Sequence, residues 1–369
     1  MLNSWKVYFL KTIKGSRNGV FPTLLKGFLY PLSKLFQLIV SCRNWAFDSG
    51  FFRQYYPPVP VVISIGNIVA GGTGKTPVTL MIAKEFYANY ALAILCRGYK
   101  SPVEKLAVPV FLSKGKGPLH PAKYCGDEPY LLSSNLPKAF VIVGRNRYKA
   151  SNMAAKAGAQ LILLDDGMQH RNLARDFDVI VVNALDPFGK GHFLPRGFLR
   201  ESIHSVSRAD IVIVNHVYEM ERFVSIKEQL RQHTPVPIVA TRMDVVNILE
   251  LSGKRVETVK NMKVGIFCGI AYPEYFRDMV KGLGADLLAH HYFLDHEFDL
   301  QTLMHFIHEC KEKGVEMLLC TEKDRVKLMD LAEMPLPIAW LQIQLQIVEG
   351  KEDWDAFIAK TKVDLIRHL

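Results

Sequence analysis

The chain has 369 residues, 49% of them apolar and 22% charged, with a net charge of +10. That length and balance exclude a disordered chain or a small disulfide-stapled fold and leave room for two globular domains. The charge is unevenly placed: residues 1–60 hold eight basic side chains (Lys6, Lys11, Lys14, Arg17, Lys26, Lys34, Arg43, Arg53) against the single acid Asp48, which predicts an anionic partner for that segment.

Within this arm Leu25, Phe28, Leu29, Leu32, Leu35, Phe36 and Ile39 recur at helical spacing, while Lys26, Ser33, Lys34, Gln37 and Ser41 fall on the opposite arc. Trp5, Tyr8, Tyr30 and Trp45 add aromatic rings suited to an interface. The longest uncharged stretch, Leu35 to Cys42, has eight residues, against the roughly 20 needed to span a bilayer. Residues 1–58 are therefore expected to form a basic amphipathic arm that lies on an anionic membrane surface; the apolar face argues against nucleic acid as the partner. Lysines interrupt every apolar core that a signal peptide would need. Six cysteines show no CxxC pair or metal spacing and read as packing residues in a reducing compartment.

After the arm, short apolar runs alternate with helical patterns. Val59 to Ile65, Ala91 to Cys96, Ala139 to Val143, Leu161 to Leu164, Val179 to Val182 and Ile211 to Val214 predict the parallel strands of a doubly wound α/β core over 59–240. A second series, Ile238 to Thr241, Val264 to Cys268, Met317 to Cys320 and Ile338 to Ile343, predicts a smaller α/β lobe over 241–369, with the junction in the polar stretch 240–262.

The first strand runs into Val69-Ala70-Gly71-Gly72-Thr73-Gly74-Lys75-Thr76, followed by Pro77 and a helical pattern to Tyr87. Strand, glycine turn and helix with proline in its first turn make a phosphate loop: the glycines let backbone N–H groups converge on an anion, Lys75 supplies a point charge, and Thr76 offers a hydroxyl to magnesium. Val69 stands where the general motif has glycine, so its phosphate-cradling end survives and its first position does not. Leu161 to Leu164 ends in Asp165-Asp166, the layout by which phosphate-loop proteins hold Mg2+ opposite Lys and Thr. Strand alternation lets only one of the two carboxylates point inward regularly. Gln169 and His170 follow at the same strand end, where α/β sheets place their sites. Gly126-Asp127-Glu128-Pro129 reads either as first-turn helix acids or as a reactive pair. Arg97-Gly98-Tyr99-Lys100 reads either as a turn or as a cation and ring offered to a ligand. His296 is indeterminate by pattern alone.

The combined set is more specific than any member. Ser64-Ile65-Gly66-Asn67, the loop at 69–77, Cys96-Arg97-Gly98-Tyr99, Gly126-Asp127-Glu128-Pro129 and Asp165-Asp166-Gly167-Met168-Gln169-His170 together resemble the tetraacyldisaccharide 4'-kinase (lipid A 4'-kinase) family. The likeness extends through Leu194 to Glu201 (containing Arg200 and Glu201), Gly269 to Glu274, Asp295-His296 and Thr321-Glu322-Lys323-Asp324, essentially the whole chain. Cys96, Met168, Arg196 and Glu297 depart from the family pattern without removing a residue the chemistry needs. The resemblance implies a P-loop NTPase-like fold, ATP and Mg2+, and transfer of the γ-phosphate to the 4'-hydroxyl of an acylated disaccharide 1-phosphate lipid, giving lipid IVA. It also implies a position on the cytoplasmic face of the inner membrane of a Gram-negative-type cell, with no obligate protein partner. By motif, Asp127 is the implied general base and His296 its partner, with Lys75 on the transferred phosphate and Thr76, Asp165 and Asp166 at the metal. Arg97, Tyr99, Glu128, Gln169, His170, Arg200 and Glu201 are expected near the substrate or behind those residues. The competing reading is a membrane-associated ATPase switch of the partitioning type; Ala70 stands where its signature lysine belongs.

Overall fold

The computed structural model describes residues 2–294, 298–328 and 334–368. Among the described residues there are twelve strands: β1 Val61–Gly66, β2 Leu92–Cys96, β3 Val110–Lys114, β4 Phe140–Val143, β5 Leu161–Asp165, β6 Phe177–Asn183, β7 Ile211–Asn215, β8 Ile238–Glu250, β9 Lys263–Cys268, β10 Asp286–Tyr292, β11 Met317–Thr321 and β12 Ile338–Glu349. The chain divides into two compact units: Met1–Thr79, Ser151–Arg242 and Ile347–Leu369 in the first, Leu80–Ala150 and Met243–Gln346 in the second. The division is discontinuous: the chain passes from one unit to the other within the helices Lys75–Phe86 and Arg147–Lys156 and within β8 and β12. The segment expected as one core, 59–240, contributes to both.

In the first unit the strand order is β5-β1-β6-β7-β8, all parallel. Every residue of β1, β5 and β7 is buried, which is why these runs are continuously apolar: a parallel sheet flanked by helices has no wet face. The core on one side gathers Ile68, Val182, Val214, Phe223 and Leu230. Because β1 lies between β5 and β6, the loop after it opens among neighbouring carboxyl ends, the place where such sheets hold ligands.

The second unit has parallel β10-β9-β11-β12, and a group in which β4 pairs parallel with β2 and antiparallel with β3. β3 and β10 were not expected. β3 is a half-buried strand with a register shift whose apolar run is interrupted by Pro109, and β10 carries two histidines and a bulge, so neither shows a clean strand pattern. β8 runs to Glu250, well past the expected Thr241 and through the polar stretch assigned to the junction. Its distal half is only partly buried, and partial burial tolerates the polar residues that hid it.

The arm forms helices Leu2–Ile13 and Val20–Asp48. The longer one rests on the first unit along a narrow stripe of Pro22, Leu29, Ser33, Val40 and Ala46. Ser33, expected on the solvent arc, is buried and donates to the Phe193 carbonyl at 2.8 Å, while Leu29 and Phe36 turn inward with it. The apolar residues beside the stripe stay in solvent: Leu24, Phe28, Leu35, Leu38, Ile39 and Trp45 are each 56–69% exposed. Among the described residues no helix is long and apolar enough to cross a membrane.

Candidate active site

In the first unit β1 ends at Gly66, where a Cβ would lie 2.4 Å from the Met168 side chain. Only glycine lets the Asp165–Met168 turn cross so closely over the start of the phosphate loop. Gly71 and Gly74 take φ of 118° and 80°, conformations that favour glycine, and the helix Lys75–Phe86 starts directly after them. Three asparagines at strand ends hold this loop. Asn67 donates to Thr73 Oγ1 at 2.8 Å, Asn183 to the Gly72 carbonyl at 3.1 Å and Asn215 to the Thr73 carbonyl at 3.4 Å. With those carbonyl oxygens taken up, the loop's N–H groups and the helix N-terminus present partial positive charge. Val69 and Ala70 have a different role from the rest of the run: Val69 is a buried core residue bridged to Leu199, and the Ala70 N–H donates to the Phe198 carbonyl at 2.7 Å. The glycine turn proper is thus 71–76.

The two carboxylates at the end of β5 diverge. Asp165, 6% exposed, faces the helix that carries Thr76, with its Oδ1 3.5 Å from Thr79 Oγ1. Asp166 leaves the strand with φ of 55°, a left-handed conformation in which Asp is enriched among non-glycine residues. There it meets Lys75 Nζ at 3.4 Å and takes a two-pronged contact from Arg200 at 3.0 and 3.2 Å. Burial alone would raise the Asp166 pKa; the Lys75 and Arg200 charges outweigh it and hold the carboxyl well below the usual carboxylate range. Arg200 also reaches Asn67 Oδ1 at 3.3 Å, tying the acid pair to the loop. Gln169 donates to the Asn67 carbonyl at 3.0 Å, and the His170 ring lies against Asn172. Glu201 is elsewhere: wholly buried, it binds Arg43 and Asn44 of the arm, with Arg208 3.8 Å away. It anchors the arm to the first unit.

In the second unit Asp127 opens the helix Asp127–Asn135 after Gly126, whose φ is 98°. Lys327 Nζ lies 3.6 Å from Asp127 Oδ2 and 3.0 Å from Asp324 Oδ1, and Lys323 pairs with Glu128 at 3.3 Å. Asp324 is fully buried; its Oδ2 accepts from the Gly269 N–H at 3.0 Å and from Thr321 Oγ1 at 2.6 Å. Arg97, at the end of β2, pairs with Glu104 at 2.6 Å, and its guanidinium lies 5.6 Å from the exposed Tyr99 ring. Gly98 is wedged between Val143 and Ser101 with φ of 68°, so this run is a tight turn that leaves the Tyr99 ring outside. His296 lies outside the described residues. Burial pushes the Cys125 thiol up to about 12 and five of six cysteines are buried, as expected of packing residues.

Asn183, Asn215 and Lys327 escaped the sequence reading. A signal existed for the first two: β6 and β7 both end in Asn after four apolar residues, and the two are register partners. Lys327 had only its spacing of three from Asp324.

The tetraacyldisaccharide-1-P 4'-kinase family model matches residues 25–362. A tetraacyldisaccharide 4'-kinase of Chlorobium phaeovibrioides is 34% identical over 338 residues, covering 88% of this chain and 94% of that protein. One from Desulfotalea psychrophila is 36% identical over 342 residues, covering 90% and 95%. Among solved structures, LpxK from Aquifex aeolicus in complex with ATP superposes with a TM-score of 0.72 at 28% identity, covering 91% of this chain and 99% of that one. A phosphate loop facing a split acid pair, in a chain matched over nearly its whole length, places the protein in the tetraacyldisaccharide-1-P 4'-kinase family.

Proposed function

We propose that the protein transfers the γ-phosphate of ATP to the 4'-hydroxyl of a tetraacylated glucosamine disaccharide 1-phosphate, forming lipid IVA in lipid A biosynthesis. The observation that carries this reading is the 71–76 loop with Lys75 and the Asp165-Asp166 strand end, in a member of this family. The solved relative bound to ATP supports the donor. In phosphoryl transfer, positioning and charge stabilisation do most of the work. The loop N–H groups and the helix N-terminus hold the phosphates, and the Lys75 ammonium neutralises charge on the group in transit. Asp166 and Arg200 keep that ammonium aimed by giving it a fixed, ionised neighbour.

Mg2+ fits the donor set. Asp165 and Thr76 are hard oxygen donors, and Asp165 faces the helix on which Thr76 and Thr79 lie one turn apart. Held there, the ion would supply positive charge to offset that of the phosphates. Asp166, already committed to Lys75 and Arg200, orients the cations in place of ligating the metal.

A sugar hydroxyl is a weak nucleophile, and we assign Asp127 as the general base. Its carboxylate takes the 4'-hydroxyl proton as the new O–P bond forms and the bond to the β-phosphate oxygen breaks, releasing ADP. His296 is assigned as its partner. The acceptor's acyl chains belong to a bilayer, and the arm supplies both terms of interfacial binding: an exposed apolar face and basic side chains. This reading puts the protein on the cytoplasmic face of the inner membrane. A partitioning-type switch has no counterpart in the family match, and Ala70 lacks its lysine. Incubation with γ-labelled ATP, Mg2+ and a tetraacylated disaccharide 1-phosphate tests the proposal: label should appear in a bis-phosphorylated lipid, and ATP turnover indifferent to the lipid would refute it.

A further inference from the structure

Thr321-Glu322-Lys323-Asp324 and Gly269 to Glu274 have no part in the phosphate loop, yet the structure draws both motifs to one place in the second unit. Asp324 is the hub. Its Oδ2 is fixed by the Gly269 N–H and the Thr321 hydroxyl, which leaves Oδ1 to Lys327 Nζ at 3.0 Å. The same ammonium stands 3.6 Å from Asp127 Oδ2, and the Lys327 side chain is only 11% exposed. We propose that Lys327 is a positioning residue for the transfer step, its ammonium held by Asp324 and in turn keeping the Asp127 carboxylate ionised and aimed.

The inference rests on the reading of Asp127 as general base. A lysine suits this role because its compact charge and three rotating donors can serve two carboxylates on different elements. Other charges lie close to Asp127 among the described residues. Glu128, the next residue on its own helix, is taken up by Lys323, and Asp324 stands behind Lys327. Cys125 precedes it with a buried, neutral thiol, and the Phe298 ring lies 5.7 Å from Lys327 Nζ. A purely structural lysine would neutralise Asp324 and leave the chemistry of Asp127 untouched. The two roles are separable, because an opposite charge at this range favours the ionised carboxylate by about one to three pH units.

The test is the pH dependence of kcat in Lys327→Met and Lys327→Arg, with KM for ATP and the thermal midpoint measured alongside. Lys327→Met should lose roughly tenfold or more in kcat at neutral pH, keep KM for ATP within about twofold, and shift the acid limb upward by about one pH unit. Lys327→Arg should return the limb toward the parent position. If Lys327→Met does not fold, Lys327→Gln carries the same readout. An acid limb unmoved in Lys327→Met, or a limb that Lys327→Arg leaves displaced, overturns the inference. Asp127→Asn keeps the two levels apart: an inactive Asp127→Asn beside an unmoved limb sinks only the role of Lys327. Near-parent turnover in Asp127→Asn sinks the general-base reading and this inference with it.

Discussion

Lys75, Asp166 and Arg200 form a chain of charges in which the acid is outnumbered, and burial alone would have favoured the neutral carboxyl. A partly buried group of the opposite kind lies just after β7. His216 follows Asn215 with φ of 63°, and burial lowers its pKa to about 4. Its folded value is below the ordinary 6.5, so the stability it contributes is complete above about pH 6.5 and is lost as the pH falls toward 4. The loss amounts to about 3 kcal/mol. Replacing it with Asn, which tolerates a left-handed backbone, should flatten the acid side of the stability curve between those limits in urea titrations. A curve as steep as the parent's would mean that other groups govern acid unfolding.

At the scale of elements, the phosphate loop is held by strand ends in preference to its own turns. Asn183 Nδ2 takes the Gly72 carbonyl, and removing such a donor costs about 1.4 kcal/mol, or tenfold in an equilibrium constant. Asn183→Ala should therefore raise KM for ATP about tenfold; an unchanged KM would show that the loop keeps its shape without this amide. The loop itself was legible because its chemistry is local: Gly71, Gly74, Lys75 and Thr76 are contiguous and sit between a buried strand and a helix. The asparagines were not, since each acts from a different strand and a terminal Asn looks like any turn residue. The acid pair shows a similar limit. Its existence could be read from Leu161 to Asp166, but its division of labour depended on the left-handed turn at Asp166 and on Arg200, 34 residues away in the chain. The arm helix was readable in period but not in facing: Ser33 looks inward to a carbonyl of a distant loop, which helical spacing cannot reveal. β3, β10 and the length of β8 were hidden instead by partial burial and register shifts, which blur the strand pattern.

On the scale of the whole molecule, the arm combines one stripe docked on the first unit with an apolar flank in solvent, a patch of the kind that marks interaction surfaces. Deleting residues 1–55 would take Arg43 and Asn44 from the wholly buried Glu201 and leave it only Arg208 at 3.8 Å and the Ser205 hydroxyl at 3.3 Å, and weakening a buried ion pair is destabilising. Point changes are the cleaner probe. Phe28→Glu with Leu35→Glu should weaken binding to vesicles of anionic phospholipid by more than about tenfold while the thermal midpoint stays put, because both side chains are exposed. Unchanged partitioning between vesicle and supernatant would remove the arm from membrane binding.

The proposed reaction moves phosphate from ATP to one particular hydroxyl. The most direct measurement offers the protein γ-labelled ATP, Mg2+ and either the tetraacylated disaccharide 1-phosphate or the same lipid lacking its 4'-hydroxyl, with the Lys75→Ala protein beside the parent. Label should enter only the intact acceptor, and Lys75→Ala should cut that transfer by about 100-fold or more. Label in the 4'-deoxy lipid, or undiminished transfer by Lys75→Ala, would contradict it.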